Sequence, residues 1–442
     1  MSALPSVLLW TSLALGVPQA PAAAKPTAQA DNAAAEKSKA GSTPPAEKQP
    51  PAKKRGAEKP AAKLPEYAVA DLQSLVNQPA KVLLATGEKL EEMQTVAFAS
   101  GRGQGTFKSV SVKTEKGDKR RTVRSAALSR LEVSGKPYAV VFVPDLRGHV
   151  LIDVAARDAA IDARLKPQGF AIWPELSPAA QEAALAERRE FLNKGRQAFP
   201  RLAIQETKFF LFASDLPADA LAPFVRDLDA MYARLADVFG VAKGVNIWRG
   251  KAVIVMFAGR ADLWRFDQEM LKIGSNADAQ ARCHWSTTGD VTITGYSGDD
   301  PKVFAHVLVH ETAHGFTARH RSSVPLPAWV NEGIAEWVAG VIVPAAQQTK
   351  LRQQRSIQRL RQTASLEGDF FNMKTLYPWR YGVASALVEY LLRIDAAAYR
   401  QFVDGIKEGA TPDESLQAAY GFSKEELVAR FGREIGVLNL AP

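Results

Sequence analysis

The sequence contains little cysteine, the residue whose disulfide bonds cross-link many small exported proteins. Its 442 residues include a single cysteine, Cys283. One cysteine excludes an intrachain disulfide framework. We expect Cys283 to be a packed small residue rather than a reactive thiol. Hydrophobic residues make up 46% of the chain, which is enough to form two or more hydrophobic cores without covalent cross-links.

Concentrated charge is also scarce outside the N-terminal region. The formal net charge is +9, but the first 65 residues hold nine basic and four acidic residues and so account for +5 of it. The remaining positive charge is spread over a long chain. No basic segment is interleaved with aromatic residues in the manner of a nucleic-acid-binding motif. We therefore predict no nucleic-acid partner.

The sequence lacks a long apolar run of the kind that spans a membrane comfortably. Residues 4–17 form an apolar run of signal-peptide length, and small residues follow it near residues 20–24. The basic residues that usually precede such a run are missing. Despite this, the apolar run and the small residues after it favour an exported, bacterial-type protein of the periplasm, cell envelope or exterior, with no stable membrane span. An uncleaved anchor and a disordered apolar end are the alternatives.

Residues 21–65 consist largely of alanine, proline and lysine and have no apolar periodicity. A segment of this composition cannot bury enough surface to offset the entropy lost on ordering. We predict that it is a disordered linker.

Residues 66–170 predict a small β-rich accessory domain. Glycine-containing turns separate short runs of β-forming residues, which cover residues 81–85, 95–99, 107–113, 122–125, 139–143 and 150–154. This pattern is typical of a small antiparallel barrel or sandwich. Because the region contains no catalytic constellation, we expect a binding or positioning module. A prodomain that covers a cleft is the alternative.

The remainder of the chain predicts an α+β fold. Residues 171–200 form a helical connector, in which Ser177 and Pro178 provide the N-cap and the first helical residue. Residues 201–442 then form a second domain, a small mixed sheet plus helices. Its predicted strands cover residues 207–213, 252–257 and 291–296.

Metal-binding chemistry is concentrated in one stretch of this domain. Residues 310–314 read His-Glu-Thr-Ala-His, and two histidines four residues apart lie on one face of a helix. Both rings can therefore bind a single zinc ion at about 2.0–2.1 Å. Glu311 is turned about 100° around the helix axis. It lies beside the ion, where it can take a proton from water as a general base.

A catalytic zinc ion needs a third protein ligand and an open fourth position. Residues 329–336 read Trp-Val-Asn-Glu-Gly-Ile-Ala-Glu and place two carboxylates four residues apart on a predicted helix. Glu332 is the candidate third ligand. Glu336 could accept a hydrogen bond from the far nitrogen of His310 or His314 and so orient that ring.

Other histidines of the chain are not needed for this site. His306 shares a helix face with the two candidate ligands, but we interpret it as a surface or packed histidine. We interpret His284 and His320 as ordinary polar residues. A lone H-E-x-x-H run is a common accident on charged helices, so the prediction depends on the second motif.

Together, the two motifs resemble those of the gluzincin metallopeptidases, the clan of thermolysin and aminopeptidase N, and most closely its bacterial peptidase MA-like branch. In that clan the two histidines and the glutamate of the Asn-Glu pair bind zinc. The resemblance implies a zincin-like peptidase domain that holds one zinc ion through His310, His314 and Glu332. It also implies that Glu311 is the general base and that Glu336 supports a zinc-bound histidine.

Weaker parts of the resemblance, which extends over roughly residues 205–435, concern the substrate. The aminopeptidase branch has a tyrosine that stabilises the oxyanion. Tyr381 resembles it weakly and is our candidate, with Tyr377 as the alternative. In the clan the substrate backbone pairs with the edge strand that precedes the metal helix, which would be residues 291–295. No exopeptidase sequence of the Gly-x-Met-Glu-Asn type is present, which favours an endopeptidase.

The sequence thus predicts an exported zinc endopeptidase that acts on a peptide or protein substrate, and it indicates no particular oligomeric state. The alternative is a non-catalytic envelope or assembly protein, with a degenerate peptidase domain and a β-rich binding module. The intact Glu311 argues against this alternative.

Overall fold

The computed structural model describes residues 69–114, 117, 119–143, 146–274 and 279–442. The segment with signal-peptide character (1–20) and the expected linker (21–65) lie outside these residues. The fold combines an antiparallel sheet in the N-terminal part with a mainly helical C-terminal part, which confirms the predicted α+β class. No helix of the described ranges is both long and apolar enough to cross a membrane.

The N-terminal sheet has seven antiparallel strands and closes on itself. Its order is β2-β1-β5-β6-β7-β3-β4, and β2 also pairs with β3. The pairing of β3 with β7 is limited to Phe107 and His149. The strands are β1 (Pro79–Leu84), β2 (Lys89–Ser100), β3 (Phe107–Thr114), β4 (Arg120–Arg124), β5 (Leu128–Val133), β6 (Lys136–Val143) and β7 (Gly148–Asp153). The closed ring of pairings makes this sheet a barrel, one of the two predicted forms.

Alternation of buried and exposed side chains gives the barrel its core. In β1, Ala80, Val82 and Leu84 are buried. They pack with residues of the other strands such as Val110 and Leu131, which have no exposed surface. Side chains at every second position of a strand point to the same face, so this period of two encloses the apolar residues.

The second sheet is mixed, with a parallel centre. Its strands, in the order β11-β12-β10-β9-β8, are β8 (Ala203–Glu206), β9 (Phe210–Ser214), β10 (Ala252–Phe257), β11 (Ala281–Trp285) and β12 (Val291–Tyr296). The strands β9, β10 and β12 are parallel, whereas the two outer strands run antiparallel to their neighbours. All six residues of β10 are buried, as expected for a strand that is covered on both faces.

Helices pack against both faces of the second sheet. On one face, Leu185 and Leu192 of α2 (Pro178–Ala198) pack with Val253 and Val255 of β10. The other face packs against α3 (Ala218–Phe239) and the C-terminal helices. The N-terminus of α2 is as predicted, because the Ser177 hydroxyl accepts a hydrogen bond from the backbone of Ala180. The stretch expected as a connector therefore covers a face of the sheet, while the domain boundaries stay predictions.

The other helices flank the sheets or form the C-terminal layer. They are α1 (Val154–Leu165), α4 (Arg260–Phe266), α5 (Pro301–Arg319), α6 (Ala328–Ile342), α7 (Gln348–Thr363), α8 (Arg380–Ile394), α9 (Ala396–Lys407), α10 (Pro412–Tyr420) and α11 (Lys424–Glu434). Short 3-10 turns occur at Ser125–Ala127, Lys166–Gln168, Pro344–Ala346 and Phe370–Asn372, and a π-helical turn, Asp267–Leu271, follows α4.

Glycines set the spacing of the helices that carry the second motif. A Cβ atom on Gly333 of α6 would lie 2.6 Å from the carbonyl oxygen of Ala384 in α8. One on Gly382 of α8 would lie 2.3 Å from the carbonyl oxygen of Arg352 in α7. The three helices therefore meet almost backbone to backbone, which brings side chains of α7 and α8 within reach of α6.

The segment before α2 is attached to the C-terminal end of α5. Ile172 forms an isolated antiparallel bridge with Ser322. The Trp173 backbone N–H donates to the carbonyl oxygen of Arg321 (2.7 Å), and its indole N–H donates to that of Ala318 (2.9 Å). Residues in front of the second sheet thus contact the helix that carries the first motif.

Candidate metal centre

The helix α5 is fixed directly on the second sheet. Asp300 caps its N-terminus by accepting a hydrogen bond from the backbone of Lys302 (2.8 Å). Further along, a Cβ atom on Gly315 would lie 2.6 Å from Val291 of β12 and 3.2 Å from the sulfur of Cys283 in β11. The absence of a side chain at this glycine lets the helix lie close to both strands. Cys283 is packed in this contact, as predicted.

Three side chains converge at the centre of the site. The Nε2 atoms of His310 and His314 are 3.1 Å apart. The Glu332 Oε2 atom, contributed by α6, lies 3.4 Å from the first and 3.3 Å from the second. Two ligands of a tetrahedral zinc ion, each about 2.0–2.1 Å from it, are separated by about 3.3–3.4 Å. The three atoms therefore lie as three corners of a zinc coordination tetrahedron do, so these residues fit the metal.

The cluster is enclosed but still reachable from solvent. The side chains retain 13% of their accessible surface for His310, 10% for His314 and 21% for Glu332. Within the described residues, this is the one group of histidine, cysteine and carboxylate side chains with ligand atoms close enough to share an ion. An open side at a centre with three protein ligands is typical of catalytic rather than structural zinc.

Glu336 lies behind the cluster, fully buried, and faces His310 rather than His314. Its Oε2 atom is 3.6 Å from His310 Nδ1. The same oxygen accepts a hydrogen bond from Arg352 (2.5 Å), and Oε1 accepts one from the Thr349 hydroxyl (3.0 Å). A carboxylate held from two sides can fix the orientation of the imidazole ring. Burial raises the pKa of Glu336, but His310 and Arg352 outweigh it and hold the value near 2.

Sequence reasoning missed the partners of Glu336. His306, interpreted as a surface or packed histidine, is buried, with Nε2 at 3.0 Å from Thr349 Oγ1 and 3.8 Å from Glu336 Oε1. Thr349 and Arg352 belong to α7, three residues apart on one helix face. That spacing was the available signal, but no motif marks it as part of the site.

The electrostatic environment of the cluster favours a bound cation. Burial lowers the pKa of His310, yet hydrogen bonds to Glu332 and Glu336 and the nearby Glu311 raise it to about 10. Burial would raise the pKa of Glu332, but His310 and His314 hold it far below the usual range. Three carboxylates around two imidazoles thus stabilise positive charge at this point.

Glu311 differs from the other two carboxylates because its pKa is raised. Burial is the main cause, and it outweighs the opposing effects of His314, His310 and a hydrogen bond from the Cys283 backbone N–H. A carboxylate whose pKa moves toward neutrality becomes a stronger base. The geometry therefore gives Glu311 properties different from those of Glu332, although both lie beside the same histidines.

The comparisons with known proteins bear on this part of the chain. Residues 285–435 match the family model of the Peptidase MA superfamily. The match is consistent with a gluzincin-type metallopeptidase-like domain, the resemblance suggested by the two motifs. It includes both motifs and Tyr381. No curated protein matches the chain.

Within the residues that match this family model, Tyr381 is placed near the cluster. Its ring lies 6.4 Å from the His310 ring, centroid to centroid. Burial, together with Glu332 and Glu311, raises the pKa of Tyr381 to about 12, so its hydroxyl keeps its proton. The alternative, Tyr377, precedes α8 and is 59% exposed. Of the two tyrosines, Tyr381 is therefore the better placed donor.

One expectation about the sheet is wrong. The strand β12 (Val291–Tyr296) is not at an edge, because it pairs with β10 on one side and with β11 on the other. The edge on this side is β11, which has no partner on its outer side within the described residues. The sequence of β11, Ala-Arg-Cys-His-Trp, does alternate apolar and polar residues, but the run is only five residues long and the strand was not predicted.

The two remaining histidines that we considered do not join the cluster. His284 Nε2 lies 3.3 Å from the Thr294 hydroxyl. His320 Nε2 lies 2.7 Å from a carboxylate oxygen of Asp404. Both make ordinary polar contacts, as predicted.

Proposed function

We propose that this protein is a zinc-dependent peptidase, and that it cleaves within peptide chains. The Peptidase MA domain suggests a peptidase-like function. The observation that carries the finer proposal is the triangle formed by His310, His314 and Glu332, whose three ligand atoms lie 3.1–3.4 Å apart.

His310, His314 and Glu332 would hold one zinc ion through two imidazole nitrogens and one carboxylate oxygen. When bound, zinc would lower the pKa of a water molecule to about 7 and polarise the carbonyl group of the substrate. Glu336 would keep the His310 ring in the orientation that binding requires, since it lies 3.6 Å from Nδ1.

Glu311 is the proposed general base. It would accept a proton from the attacking water and deliver that proton to the leaving amine. Its raised pKa supports both steps, because the group must gain and lose a proton in one cycle.

Tyr381 is the proposed hydrogen-bond donor to the oxygen that becomes negative during attack. A pKa of about 12 keeps its hydroxyl protonated and able to donate. A donor of this kind lowers the activation barrier by about 2.7–4 kcal/mol.

The outer edge of β11 is the proposed binding surface for the substrate backbone, in place of residues 291–295. An extended peptide can add to an exposed sheet edge through main-chain hydrogen bonds. This strand contacts α5 near Gly315, one residue after His314. A peptide that pairs with this strand, parallel or antiparallel, can extend past both of its ends. We therefore retain the endopeptidase preference. We also retain export as a proposal, with a peptide or protein as the substrate.

The test is cleavage of an unbiased peptide library by the full chain, followed by mass spectrometry. Parallel samples contain Glu311→Gln and a metal chelator, and Glu389→Gln on α8 is the matched control. We expect cuts inside peptides with the parent and the control variant, and none with Glu311→Gln or the chelator. No cuts by a zinc-loaded parent would instead support a non-catalytic envelope or assembly protein.

A further inference from the structure

A second concave site lies in the N-terminal barrel, outside the residues that match the Peptidase MA superfamily. It is an open pocket of about 270 Å³ between the start of β3, the end of β4 and residues 147–149 at the start of β7. Four basic side chains line it, namely Arg102, Lys108, Arg124 and Arg147. All four residues are exposed. Nothing in the proposed peptide-bond hydrolysis uses this pocket.

Among the described residues, no acidic side chain neutralises the positive charge of the pocket. No described carboxylate lines it, and none of its four basic residues forms an ion pair with another described residue. Other basic groups of the barrel do have such partners. Arg121 lies 2.6 Å from Glu88, and Lys136 lies 3.2 Å from Asp153. What distinguishes the pocket is that four basic side chains without such a described partner line one concave site.

The wall of the pocket also contains polar and aromatic groups. The buried Ser125 has its hydroxyl 3.0 Å from Nδ1 of the half-buried His149. The ring of Phe142, which is 38% exposed, lies 5.1 Å from the His149 ring. The Phe142 carbonyl accepts a hydrogen bond from Gln401 of α9 (2.8 Å), so this wall is anchored to the C-terminal helices.

The backbone around the pocket is shaped by close packing. A Cβ atom on Gly148 would lie 2.7 Å from the Thr106 side chain, and one on Gly101 would also collide with it. Arg147, directly before Gly148, has a φ of 46°, a left-handed conformation that disfavours residues other than glycine. This backbone conformation costs free energy, so an arginine at this position is consistent with a role at the pocket that outweighs the cost.

We propose that this pocket binds a phosphate group, either free or as the headgroup of a lipid. Four cations within one small pocket exceed what a single carboxylate needs, whereas a doubly charged phosphate can accept hydrogen bonds from several of them. The volume lies below the about 300–1,000 Å³ of pockets for drug-sized ligands, which favours a small anionic group. The exposed Phe142 supplies an apolar surface for whatever the phosphate is attached to.

The experiment measures binding of two probes to the full chain. Radiolabelled inorganic phosphate is tested by equilibrium dialysis, and phosphatidic acid in phosphatidylcholine vesicles by co-sedimentation. The pocket variant is Arg102→Glu with Arg124→Glu. Its matched control is Lys119→Glu with Arg120→Glu, which changes the charge equally at exposed positions outside the pocket. Unfolding temperatures of both variants verify the fold, and Arg102→Gln with Arg124→Gln provides a milder replacement.

We expect at least one probe to bind saturably to the parent and to the control variant. Affinity should fall by about tenfold or more in both pocket variants, since each loses charge-assisted contacts. Binding of phosphate in this pattern identifies a free phosphate, and binding of vesicles alone identifies a lipid headgroup. Basic residues among the first 65 can attract anionic vesicles in every variant, so the difference between variants is decisive. Absence of saturable binding, or an equal loss in the control variant, would overturn the proposal.

Discussion

At the scale of single residues, the site separates three glutamates by what surrounds each carboxylate. Glu332 faces two imidazole nitrogens, Glu336 is held between His310 and Arg352, and Glu311 is mainly affected by burial. The pKa falls for the first two and rises for the third. Neighbouring carboxylates whose pKa values shift in opposite directions often have different chemical roles.

In the proposed reaction, the Tyr381 hydroxyl donates a hydrogen bond to the oxyanion. Replacing Tyr381 with Phe should lower kcat by about 10²- to 10³-fold, because one donor to the transition state is lost. Zinc content should not change, since Tyr381 is not among the three converging ligands. Steady-state kinetics and metal analysis provide the readouts. Tyr377→Phe is the matched control, and an equal effect of both variants would contradict the assignment.

Support of the zinc site by Glu336 can be separated from catalysis. Glu336→Gln and Arg352→Gln should each weaken zinc binding by about 10- to 100-fold, because the orientation of His310 is less restrained. Competition with a chelator of known affinity measures the change. Arg355→Gln, an exposed position on the same helix, should have no effect. Zinc affinity that is the same in all three variants would argue against the role of Glu336.

At the scale of elements, the crossing of α7 and α8 determines where Tyr381 lies. Gly382→Ala would place a Cβ atom 2.2 Å from the Ser356 hydroxyl and 2.3 Å from the Arg352 carbonyl. We expect a loss of about 1–3 kcal/mol in the free energy of unfolding, as in other overpacked cores. Denaturant unfolding tests this. Gly274→Ala, where no described atom lies within 4 Å of the added Cβ atom, should cost much less, and equal losses would show that the crossing is not tight.

The same elements show what could be predicted from the sequence. Because helical periodicity brings residues four apart to one face, each motif was predictable as a helix face, and the resemblance implied that the two meet at one metal ion. Thr349 and Arg352 were not, since they reach Glu336 only through the packing of another helix. The strand β5 was also missed, because Leu128 and Leu131 are three residues apart and do not alternate. The edge strand β11 was missed although its five residues alternate between apolar and polar.

At the scale of the whole molecule, residues in front of the second sheet pack against the part of the chain that carries both motifs. The described residues, which begin at residue 69, belong to one compact unit. Leu185 and Leu192 of α2 cover one face of the second sheet, and residues 172 and 173 pair with the chain after α5. A test of whether the region before residue 201 is a binding module or a prodomain must therefore take into account that α2 and residues 172 and 173 contact the rest of the fold.

A shortened chain of residues 201–442 tests this attachment. Loss of α2 exposes Val253, Val255 and Phe257, which are fully or almost fully buried. We expect this chain to aggregate or to unfold at a much lower temperature than residues 171–442, which retain α2 and the bridge at Ile172. Thermal unfolding followed by circular dichroism measures the difference. Equal stability, with higher activity of the shorter chain, would instead support a prodomain role for the residues removed.

The most direct measurement of the central claim is the zinc content and zinc coordination of the purified full chain. We predict about one zinc ion per chain. X-ray absorption should show two imidazole nitrogens and at least one carboxylate oxygen at about 2.0–2.1 Å. His310→Ala, His314→Ala and Glu332→Ala should each lose the ion or weaken its binding strongly, whereas His284→Ala should not. A chain that binds no zinc, or that keeps the same zinc coordination after replacement of His310, would contradict the account.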